Sequence, residues 1–464
     1  MSEIYALLDY TDDKSYVQPL IESALHKHLP SLHLLDNNNP ATTPPPLPST
    51  TNLLTWTSYE SLDFQTLLSN PTTNLFNAYI IRKALIRKHY LLHTIESYVK
   101  KNPGSVLKDA TPVGVEFEVD YVEFLDEALV EAYELVESLE RNEGVEEEGG
   151  KGREWWILKP GMSDRGVGIR LFSTMGELQH IFEGWEEESD EEKEEEDDDD
   201  DEDEDKATRS DGEEEEKEER EDIITSTDDK EKKSTGIITS SLRHFVAQIY
   251  IPPFLLTPKP NTNNPSNIGP RKFHIRTYVL AYSALKIYVY KNMLALFAAK
   301  EYTPPSSSDF NNNDDPTSEP PDLSAHLTNT CLQSGIHDGS VIPFWNLPEF
   351  FIIDQTKVEE WYSQVCEITA EVFKAAVSGG RIHFQPLPNA FEIFGFDFLV
   401  GEDGKVRVLE VNAFPDFKQT GEEEKELVAG LFEGVVGVVK TFFGEEAEED
   451  ERMVKVLDVD VGGF

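Results

Sequence analysis

The chain has 464 residues, of which 38% are hydrophobic and 10% aromatic, so it can bury a large core in two or three domains of ordinary size. Its formal net charge of −49 disfavours nucleic acid and anionic membranes as partners, because like charges repel. Two cysteines are too few for a disulfide scaffold. The sequence also shows no signal-peptide pattern and no apolar run of about 20 residues, so we expect a cytoplasmic protein.

The first predicted elements lie in the N-terminal third of the chain. Residues 4–35 carry apolar positions without a strong period, and a Thr- and Pro-rich loop follows them to residue 51. Over residues 77–101, apolar side chains recur at helical spacing, which predicts an amphipathic helix whose basic residues lie in solvent. A second amphipathic helix is predicted over residues 121–139, with its acidic residues exposed.

A glycine-bearing loop, residues 161–168, joins two predicted strands. A dinucleotide-binding or Walker loop would need a helix directly after the glycines, so neither is predicted. The backbone N–H groups of this loop could instead cover phosphates, with Lys159 supplying a point charge, although glycine hairpins are common and the signal is weak alone. Thr174 and Glu177 then have the spacing of a capping box and open a helix.

An acidic segment, residues 186–234, interrupts this region. Between residues 186 and 222 it contains 27 acidic and 5 basic residues, a composition that predicts a disordered insertion before the strand at 245–251. Such a segment is ordinarily a solvated spacer. The alternative is that the tethered polyanion competes with an acidic substrate for a basic face of the protein.

The candidate basic face lies on the strand predicted over residues 271–280. Side chains alternate along a strand, so Lys272, His274 and Arg276 share one side of it. Basic residues on a strand are ordinarily solvated, but three on one face of so acidic a chain indicate a site for phosphate or carboxylate.

Further elements are predicted between residues 286 and 464. Residues 286–290 and 293–297 resemble a hairpin, and a loop at 303–322 is predicted to be disordered. The polar run 326–330 could contact phosphate or, equally, cap a helix. Helices are predicted over 358–377 and 422–443, and the acidic tail from residue 445 is expected to fray.

The stretch 391–417 predicts a hairpin, because the turn residues 401–404 separate two runs rich in Phe, Val and Ile. We expect Val400 to pair with Lys405. Asp397 would then lie opposite Val408 and diagonal to Glu410.

In that register, Asp397, Val408, Glu410 and Asn412 share one face of the hairpin. Two carboxylates and an amide oxygen suit Mg²⁺, whose coordination is usually completed by water and substrate phosphates. The alternative is that these polar residues are simply exposed on a half-buried strand. We favour the metal site because the acidic face is otherwise apolar, and a carboxylate held there needs a partner.

Five motifs occur in the order found in the tubulin-tyrosine ligase family, a branch of the ATP-grasp superfamily, and the chain resembles that family: WILKPGMSDRGVGI, FVAQIYI, RKFHIRTYVL, HLTNT and FGFDFLV…VLEVNAFP. The resemblance implies an α/β (α+β) chain with the ATP-grasp fold, in which two lobes with antiparallel sheets grip ATP after a small N-terminal α/β domain. The implied divisions are an N-terminal domain (1–75), a central lobe (76–251), a C-terminal lobe (252–445) and an acidic tail (446–464).

The resemblance also implies roles for individual residues. Contacts with ATP are expected from Lys83, Lys159, Ser163, Gly166, Gly168, Gln248, Tyr250, Ile251, Lys272, Asn329 and Asp397, with Gln248, Tyr250 and Ile251 lining the adenine pocket. Mg²⁺ would be held by Asp397, Glu410 and Asn412. Lys272, Arg276 and Glu410 would serve catalysis, and His274 and Arg276 would meet the substrate.

The implied activity is ATP- and Mg²⁺-dependent ligation of a free amino acid, with tyrosine as the first candidate, to a protein carboxylate such as the C-terminus of tubulin. The carboxylate attacks the γ-phosphate, and the resulting acyl phosphate takes the amine. Such a reaction depends on positioning and charge neutralisation more than on an acid–base dyad. No membrane or nucleic-acid partner is expected.

Two departures from the family pattern leave alternatives open. His274 stands where relatives carry Asp, and residues 294–297 lack an arginine that relatives place near the phosphates. The second hypothesis is therefore a non-enzymatic ATP-binding scaffold in a cytoplasmic ribonucleoprotein, such as a P-body, or in a cytoskeletal assembly. A tubulin glutamylase or glycylase ranks third, because no basic microtubule-binding extension accompanies this chain.

Overall fold

The computed structural model describes residues 3–10, 16–35, 50–145, 152–161, 166–197 (backbone only from 187), 243–260, 269–306, 322–328, 340–415, 417 and 424–461. These residues form three β-sheets, of which the first is parallel and the other two are antiparallel. Within these ranges no helix is both long and apolar enough to cross a bilayer.

The N-terminal sheet has the strand order β2-β1-β3-β4. Its elements are β1 (Ile4–Asp9), α1 (Val17–His28), β2 (Leu32–Leu35), β3 (Asn52–Thr57), a 3₁₀ turn (Tyr59–Ser61), α2 (Phe64–Ser69) and β4 (Asn74–Phe76). Buried and half-buried residues alternate along β1, as expected for a strand with one face on the core. Ile21 and Leu25 of α1 share an apolar cluster with Leu431 and Val435, so the C-terminal helix packs against this unit.

Three helices connect the first sheet to the second: α3 (Lys83–Ile86), α4 (Lys88–Lys101) and α5 (Leu107–Ala110). The single helix predicted over residues 77–101 was therefore wrong. Arg87 takes an extended conformation with φ −101° and ψ 123°, which ends α3 and starts α4 in a new direction. Leu91 and Ile95 of α4 then join a large core cluster that also contains Ile275 and Phe396.

The second sheet has the strand order β5-β8-β6-β7. Its elements are β5 (Gly114–Glu118), a 3₁₀ turn (Val122–Phe124), α6 (Leu125–Ala128), α7 (Tyr133–Glu143), β6 (Trp156–Pro160), β7 (Arg170–Phe172), α8 (Met175–Asp197) and β8 (His244–Ile249). The strand, glycine loop and second strand are confirmed, since β6 pairs with β7. The helix predicted over residues 121–139 is broken into three pieces.

The capping box at the start of α8 is confirmed. The Glu177 backbone N–H donates to Thr174 Oγ1, and the Thr174 N–H donates to Glu177 Oε2, both at 3.2 Å. The helix then continues to Asp197, so the prediction of disorder from residue 186 was wrong for its first 12 residues. Phe182 and Trp185 anchor α8 in the core, and glutamate, a good helix former, extends it. Residues 198–242 lie outside the described ranges.

The third sheet contains seven strands around β9 (Phe273–Tyr282). The other elements are β10 (Lys286–Tyr290), β11 (Leu294–Phe297), β12 (Val341–Pro343), a 3₁₀ turn (Phe344–Asn346), α9 (Leu347–Phe350), α10 (Gln355–Ser378), β13 (Phe391–Val400), β14 (Val406–Ala413), α11 (Lys425–Val439), a 3₁₀ turn (Lys440–Phe443) and β15 (Met453–Asp458). Strand β13 pairs along nearly all of β9, and α10 covers the sheet with Trp361 and Phe373 in its core.

The hairpin predicted over residues 286–297 was wrong. Strands β10 and β11 do not pair with each other; both run antiparallel to β9, over its residues 279–282 and 273–276. Strands β10 and β11 therefore run in the same direction, one after the other along β9. The chain does not reverse at Lys291 and Asn292, which lie between them.

The tail that was expected to fray from residue 445 instead contains an ordered strand. Strand β15 pairs antiparallel with β10, and Met453 and Leu457 are buried. The acidic composition hid this strand, because apolar residues occur in only a short stretch of an otherwise charged segment.

Candidate active site

The predicted hairpin of β13 and β14 is present, but its register differs from the prediction. Val400 pairs with Val406 rather than with Lys405, so the connecting loop is one residue longer. A bulge between Asp397 and Phe398 then adds a second offset of one residue. Either offset alone would turn the later side chains to the opposite face, and the two together restore the predicted face.

Because of this register, Asp397 lies directly opposite Glu410 instead of diagonal to it. Asn412 Nδ2 donates to Asp397 Oδ2 at 3.3 Å and to Glu410 Oε1 at 3.2 Å, so the three candidate ligands meet. Val408 pairs with Phe398 and packs in the core, so its predicted place on the acidic face was wrong.

Arg276 of β9 lies opposite Asp397 on the other side of β13. Its Nε donates to Asp397 Oδ1 at 2.6 Å and its Nη2 to Oδ2 at 3.0 Å, a bidentate pair that fixes the carboxylate plane. Burial opposes the charge of Arg276, but attraction to Asp397 dominates and the pKa of the guanidinium rises. Arg276, predicted to meet the substrate, thus orients a candidate metal ligand.

The carboxyls of Asp397 and Glu410 titrate as a pair. Burial, opposed by Arg276 and assisted by repulsion from Glu410, raises the pKa of the Asp397 carboxyl to about 7. Burial also acts to raise the pKa of Glu410, but the positive charges of Lys88 and Lys159 outweigh it and the net shift is downward. The pair therefore keeps one proton to a higher pH than two isolated carboxyls would, and a bound cation would relieve their repulsion.

Two buried lysines face this acidic group. Lys159 Nζ donates to Gln248 Oε1 at 2.8 Å, and Lys272 Nζ lies 4.4 Å from the centroid of the Tyr250 ring. Burial lowers the pKa of Lys159 to about 8. Burial and repulsion from Lys159 lower the pKa of Lys272 to about 7. Both shifts mark a site where an anion would restore full protonation of the lysines.

A cleft between the second and third sheets opens to solvent, and its empty volume is about 600 Å³ when the open solvent at its mouth is included. Lys159, Lys272 and Glu410 stand in its wall together with Gln248, Tyr250 and Ile251, the residues expected to line an adenine pocket. Further apolar lining comes from Ile157, Ile169, Ile249, Leu399 and Leu409. An apolar pocket beside paired lysines can take a flat heterocycle at one end and phosphates at the other.

Two histidines of the cleft are hydrogen-bonded and neutral. His274 Nδ1 lies 2.6 Å from Thr328 Oγ1, and His326 Nδ1 lies 2.9 Å from Tyr250 Oη. Burial, reinforced by the charge of Lys272, holds the pKa of His274 well below its ordinary value and lowers that of His326 to about 4. The shared face of Lys272, His274 and Arg276 is as predicted, but His274 adds no charge to it.

Five other residues were predicted to contact ATP: Lys83, Ser163, Gly166, Gly168 and Asn329. Gly166 and Gly168 take left-handed φ values of 80° and 72°, which glycine adopts without strain. Ser163 and Asn329 lie outside the described residues. Lys83 lines neither this cleft nor the smaller cavity beside it.

Lys88 belongs to the site, although the sequence placed it on a solvated helix face. It lines the smaller cavity with Lys159 and Gln248, and its charge acts on Glu410. The break at Arg87 directs Lys88 inward, and a continuous helical period could not reveal that.

The donor set at the hairpin fits Mg²⁺. Among the described residues no group of three or more His, Cys, Asp or Glu could hold a metal. Mg²⁺ does not need one, because it commonly binds one or two carboxylates and completes its shell with water and phosphate oxygens. Asp397 and Glu410 supply hard oxygens, and rotating the Asn412 amide by half a turn would present its oxygen.

Three comparisons with known proteins bear on this site. Residues 66–448 match the Tubulin-tyrosine ligase family. A probable tubulin–tyrosine ligase of Saccharomyces cerevisiae is 39% identical over 470 residues, covering 98% of this chain and 55% of the relative, so this chain spans about half of that relative's length. A probable tubulin–tyrosine ligase of Schizosaccharomyces pombe is 36% identical over 471 residues, covering 100% of this chain and 98% of the relative.

The crystal structure of the C-terminal domain of Pby1 from K. lactis, described as an ATP-grasp enzyme interacting with the mRNA decapping enzyme Dcp2, is similar with a TM-score of 0.64. It is 34% identical and covers 98% of this chain and 99% of that one. The likeness shows that the two antiparallel sheets around the cleft form an ATP-grasp fold.

Proposed function

Because the chain belongs to the tubulin-tyrosine ligase family and has the ATP-grasp fold, we propose that it is an ATP- and Mg²⁺-dependent ligase that joins a free amino acid to a protein carboxylate. One observation carries this proposal: half-buried Glu410, which adjoins the buried Asp397, lines the same cleft as two buried lysines, Lys159 and Lys272. A phosphate chain with its cation would neutralise both groups at once.

Each set of residues has a place in this proposal. Lys159 and Lys272 bind the phosphates, and the apolar end of the cleft with Tyr250 holds the adenine. Asp397, Glu410 and Asn412 hold Mg²⁺, which supplies charge neutralisation at the transferring phosphoryl group. Arg276 keeps Asp397 in place through its bidentate contact.

The reaction has two steps. An oxygen of the acceptor carboxylate attacks the γ-phosphorus, and ADP leaves. The amine of the amino acid then attacks the acyl carbon, and phosphate leaves with the oxygen that came from the carboxylate. Both steps need reactants held in line and charges neutralised, which the two buried lysines in the wall of the cleft help to supply.

The proposal extends to the identity of the two substrates, the amino acid and its acceptor. The names of the yeast relatives favour tyrosine as the amino acid and tubulin as the acceptor. The test is to incubate the chain with ATP, Mg²⁺, labelled amino acids and detyrosinated tubulin. Incorporation of label that requires ATP supports the ligase, and the labelled amino acid identifies the second substrate.

An ATP-binding scaffold is the second candidate, and two observations favour it. Leu294 and Leu296 of β11 pair with Arg276 and His274, so apolar residues occupy the strand where relatives place an arginine. The K. lactis neighbour is described as interacting with a decapping enzyme, which suggests a ribonucleoprotein assembly instead of tubulin. A scaffold would bind ATP tightly and leave it uncleaved with every acceptor offered.

Lys159→Ala should weaken ATP binding by about 10- to 100-fold, because a charge-assisted contact to phosphate is lost from a buried position. The amino-acid preference should not change, since the phosphates carry no information about the amino acid. Calorimetric titration with ATP measures the first effect. Lys88→Ala should weaken binding in the same direction because Lys88 lines the adjoining cavity.

Lys83→Ala provides the matched comparison. Burial, the charge of His93 and the charge of Lys83, in decreasing order, lower the pKa of His383, so Lys83 lies near that histidine. Lys83 lines neither the cleft nor the smaller cavity. Equal ATP affinity in the Lys159 variant and the parent would remove Lys159 from the phosphate site. A large loss in the Lys83 variant would instead support the contact that the family resemblance implied.

A further inference from the structure

Four large apolar side chains stand exposed on one short segment of the central lobe, and none of them lines the cleft. Tyr121, Phe124, Val130 and Tyr133 are 56%, 48%, 61% and 66% exposed. The rings of Tyr121 and Phe124 lie 6.4 Å apart in an edge-on arrangement. We call these four residues the aromatic patch.

The fold turns the aromatic patch outward. Successive turns run from the 3₁₀ turn at Val122–Phe124 through α6 into α7, and their inward residues belong to the core of the central lobe: Leu125, Leu129, Ala132 and Leu135. The core is therefore closed without the patch, and its side chains contribute little to folding. A group of exposed aromatic residues beside a completed core is typical of an interaction surface.

The segment that carries the patch is also rich in exposed acidic residues. Residues 120–134 contain six acidic residues and no Lys or Arg. Asp120 pairs with Arg243. Among the residues that the structure describes, the other five acidic residues have no ion-pair partner: Glu123, Asp126, Glu127, Glu131 and Glu134. All five are exposed. The middle of α8 lies alongside, since Glu186 accepts a hydrogen bond from the Val122 N–H at 2.5 Å.

We propose that residues 121–134 form a docking surface for a basic protein segment whose Lys or Arg residues alternate with large apolar side chains. The apolar side chains pack on the aromatic patch, and the cations pair with the surrounding carboxylates. The apolar side chains and the carboxylates that this recognition needs both lie within these 14 residues.

Charge excludes the other occupants. Nucleic acid and anionic lipid are repelled by the surrounding carboxylates. A second copy of the chain carries a net charge of −49 and is repelled as well. The cleft is lined by other residues, so the surface can be occupied without blocking ATP. This inference does not depend on the proposed ligase activity.

The probe is a fluorescein-labelled peptide of about 15 residues in which Lys and Arg alternate with Leu and Phe. A polycation could also bind the acidic segment beyond residue 197 without specificity. The critical variant therefore leaves the charge unchanged: Tyr121→Ser, Phe124→Ser and Tyr133→Ser combined. Ile352→Ser with Ile382→Ser is the control, because these residues lie elsewhere and are 63% and 68% exposed.

Anisotropy titration of the full chain should show at least about 10-fold weaker peptide binding for the triple variant and unchanged binding for the control. Equal binding by the triple variant and the parent, or no binding to the parent, would overturn the proposal. Unfolding midpoints check that the variants fold.

Hydrogen exchange on the parent gives a second readout that needs no variant. The peptide should slow exchange over residues 121–134. Slowing confined to residues 198–242 would also overturn the proposal. A second peptide with Ser in place of Leu and Phe should bind at least about 10-fold more weakly than the first, and equal binding would show attraction by charge alone.

Discussion

Glu410→Gln should reduce the rate of ligation at least about 100-fold while leaving the fold intact. Glutamine keeps the size of the side chain and one oxygen, but it removes the charge that complements Mg²⁺ and the nearby lysines. Asp397 would then face a neutral amide, and the cation would be held by a single carboxylate. ATP affinity should fall less than turnover, because Lys159 and Lys272 remain.

Incorporation of labelled amino acid measures turnover, and circular dichroism with thermal unfolding checks the fold. Glu402→Gln is the matched control, since Glu402 lies exposed on the loop of the same hairpin. Its turnover should equal that of the parent. If Glu410→Gln also turns over at the parent's rate, Glu410 does not belong to the site.

Arg82→Met should lower the free energy of unfolding by about 3–5 kcal/mol, because it leaves a buried carboxylate without its counter-charge. Arg82 Nε lies 3.0 Å from Glu392 Oε1, and the other carboxylate oxygen accepts the Tyr79 N–H at 3.0 Å. The side chains are only 11% and 4% exposed. Methionine fills much of the arginine volume, so loss of charge dominates over loss of packing.

The loss of stability caused by Arg82→Met should depend on pH. Burial, partly opposed by Arg82, raises the pKa of Glu392 from 4.5 to about 7. A carboxyl with a raised pKa binds its proton more tightly in the folded state, so its contribution to stability is full below about pH 4.5 and is lost as pH rises through about 7. Without Arg82 the pKa rises further, so Arg82→Met should be less destabilising at about pH 5 than at about pH 8.

Urea unfolding at both pH values measures this difference. Arg243→Met is the control, because its pair with Asp120 is exposed on both sides and should contribute less than about 1 kcal/mol. An Arg82 variant as stable as that control at the higher pH would show that Glu392 needs no counter-charge.

The acidic face of the hairpin could be predicted from the sequence because side-chain alternation depends only on parity. Asp397, Glu410 and Asn412 share a face in any register that differs by an even number of residues. The bulge and the longer loop could not be predicted, because the alternation of apolar and polar residues does not show where a register shift falls. Val408 was misplaced for that reason.

Other features depended on contacts between distant segments. The inward direction of Lys88 follows from a break at Arg87 that the helical period did not show. The neutral state of His274 follows from burial beside Lys272. The parallel N-terminal sheet is built from strands of only three to six residues, too short to give a clear period. The ATP-grasp fold was accessible because five ordered motifs carry it.

The most direct measurement follows the oxygen of the acceptor. An acceptor peptide labelled with ¹⁸O in its terminal carboxylate is incubated with the chain, ATP, Mg²⁺ and the amino acid, and the released phosphate is analysed by mass spectrometry. Ligation through an acyl phosphate predicts ADP as the nucleotide product and one ¹⁸O atom in each phosphate released. AMP with pyrophosphate, or phosphate without ¹⁸O, would contradict the proposed reaction.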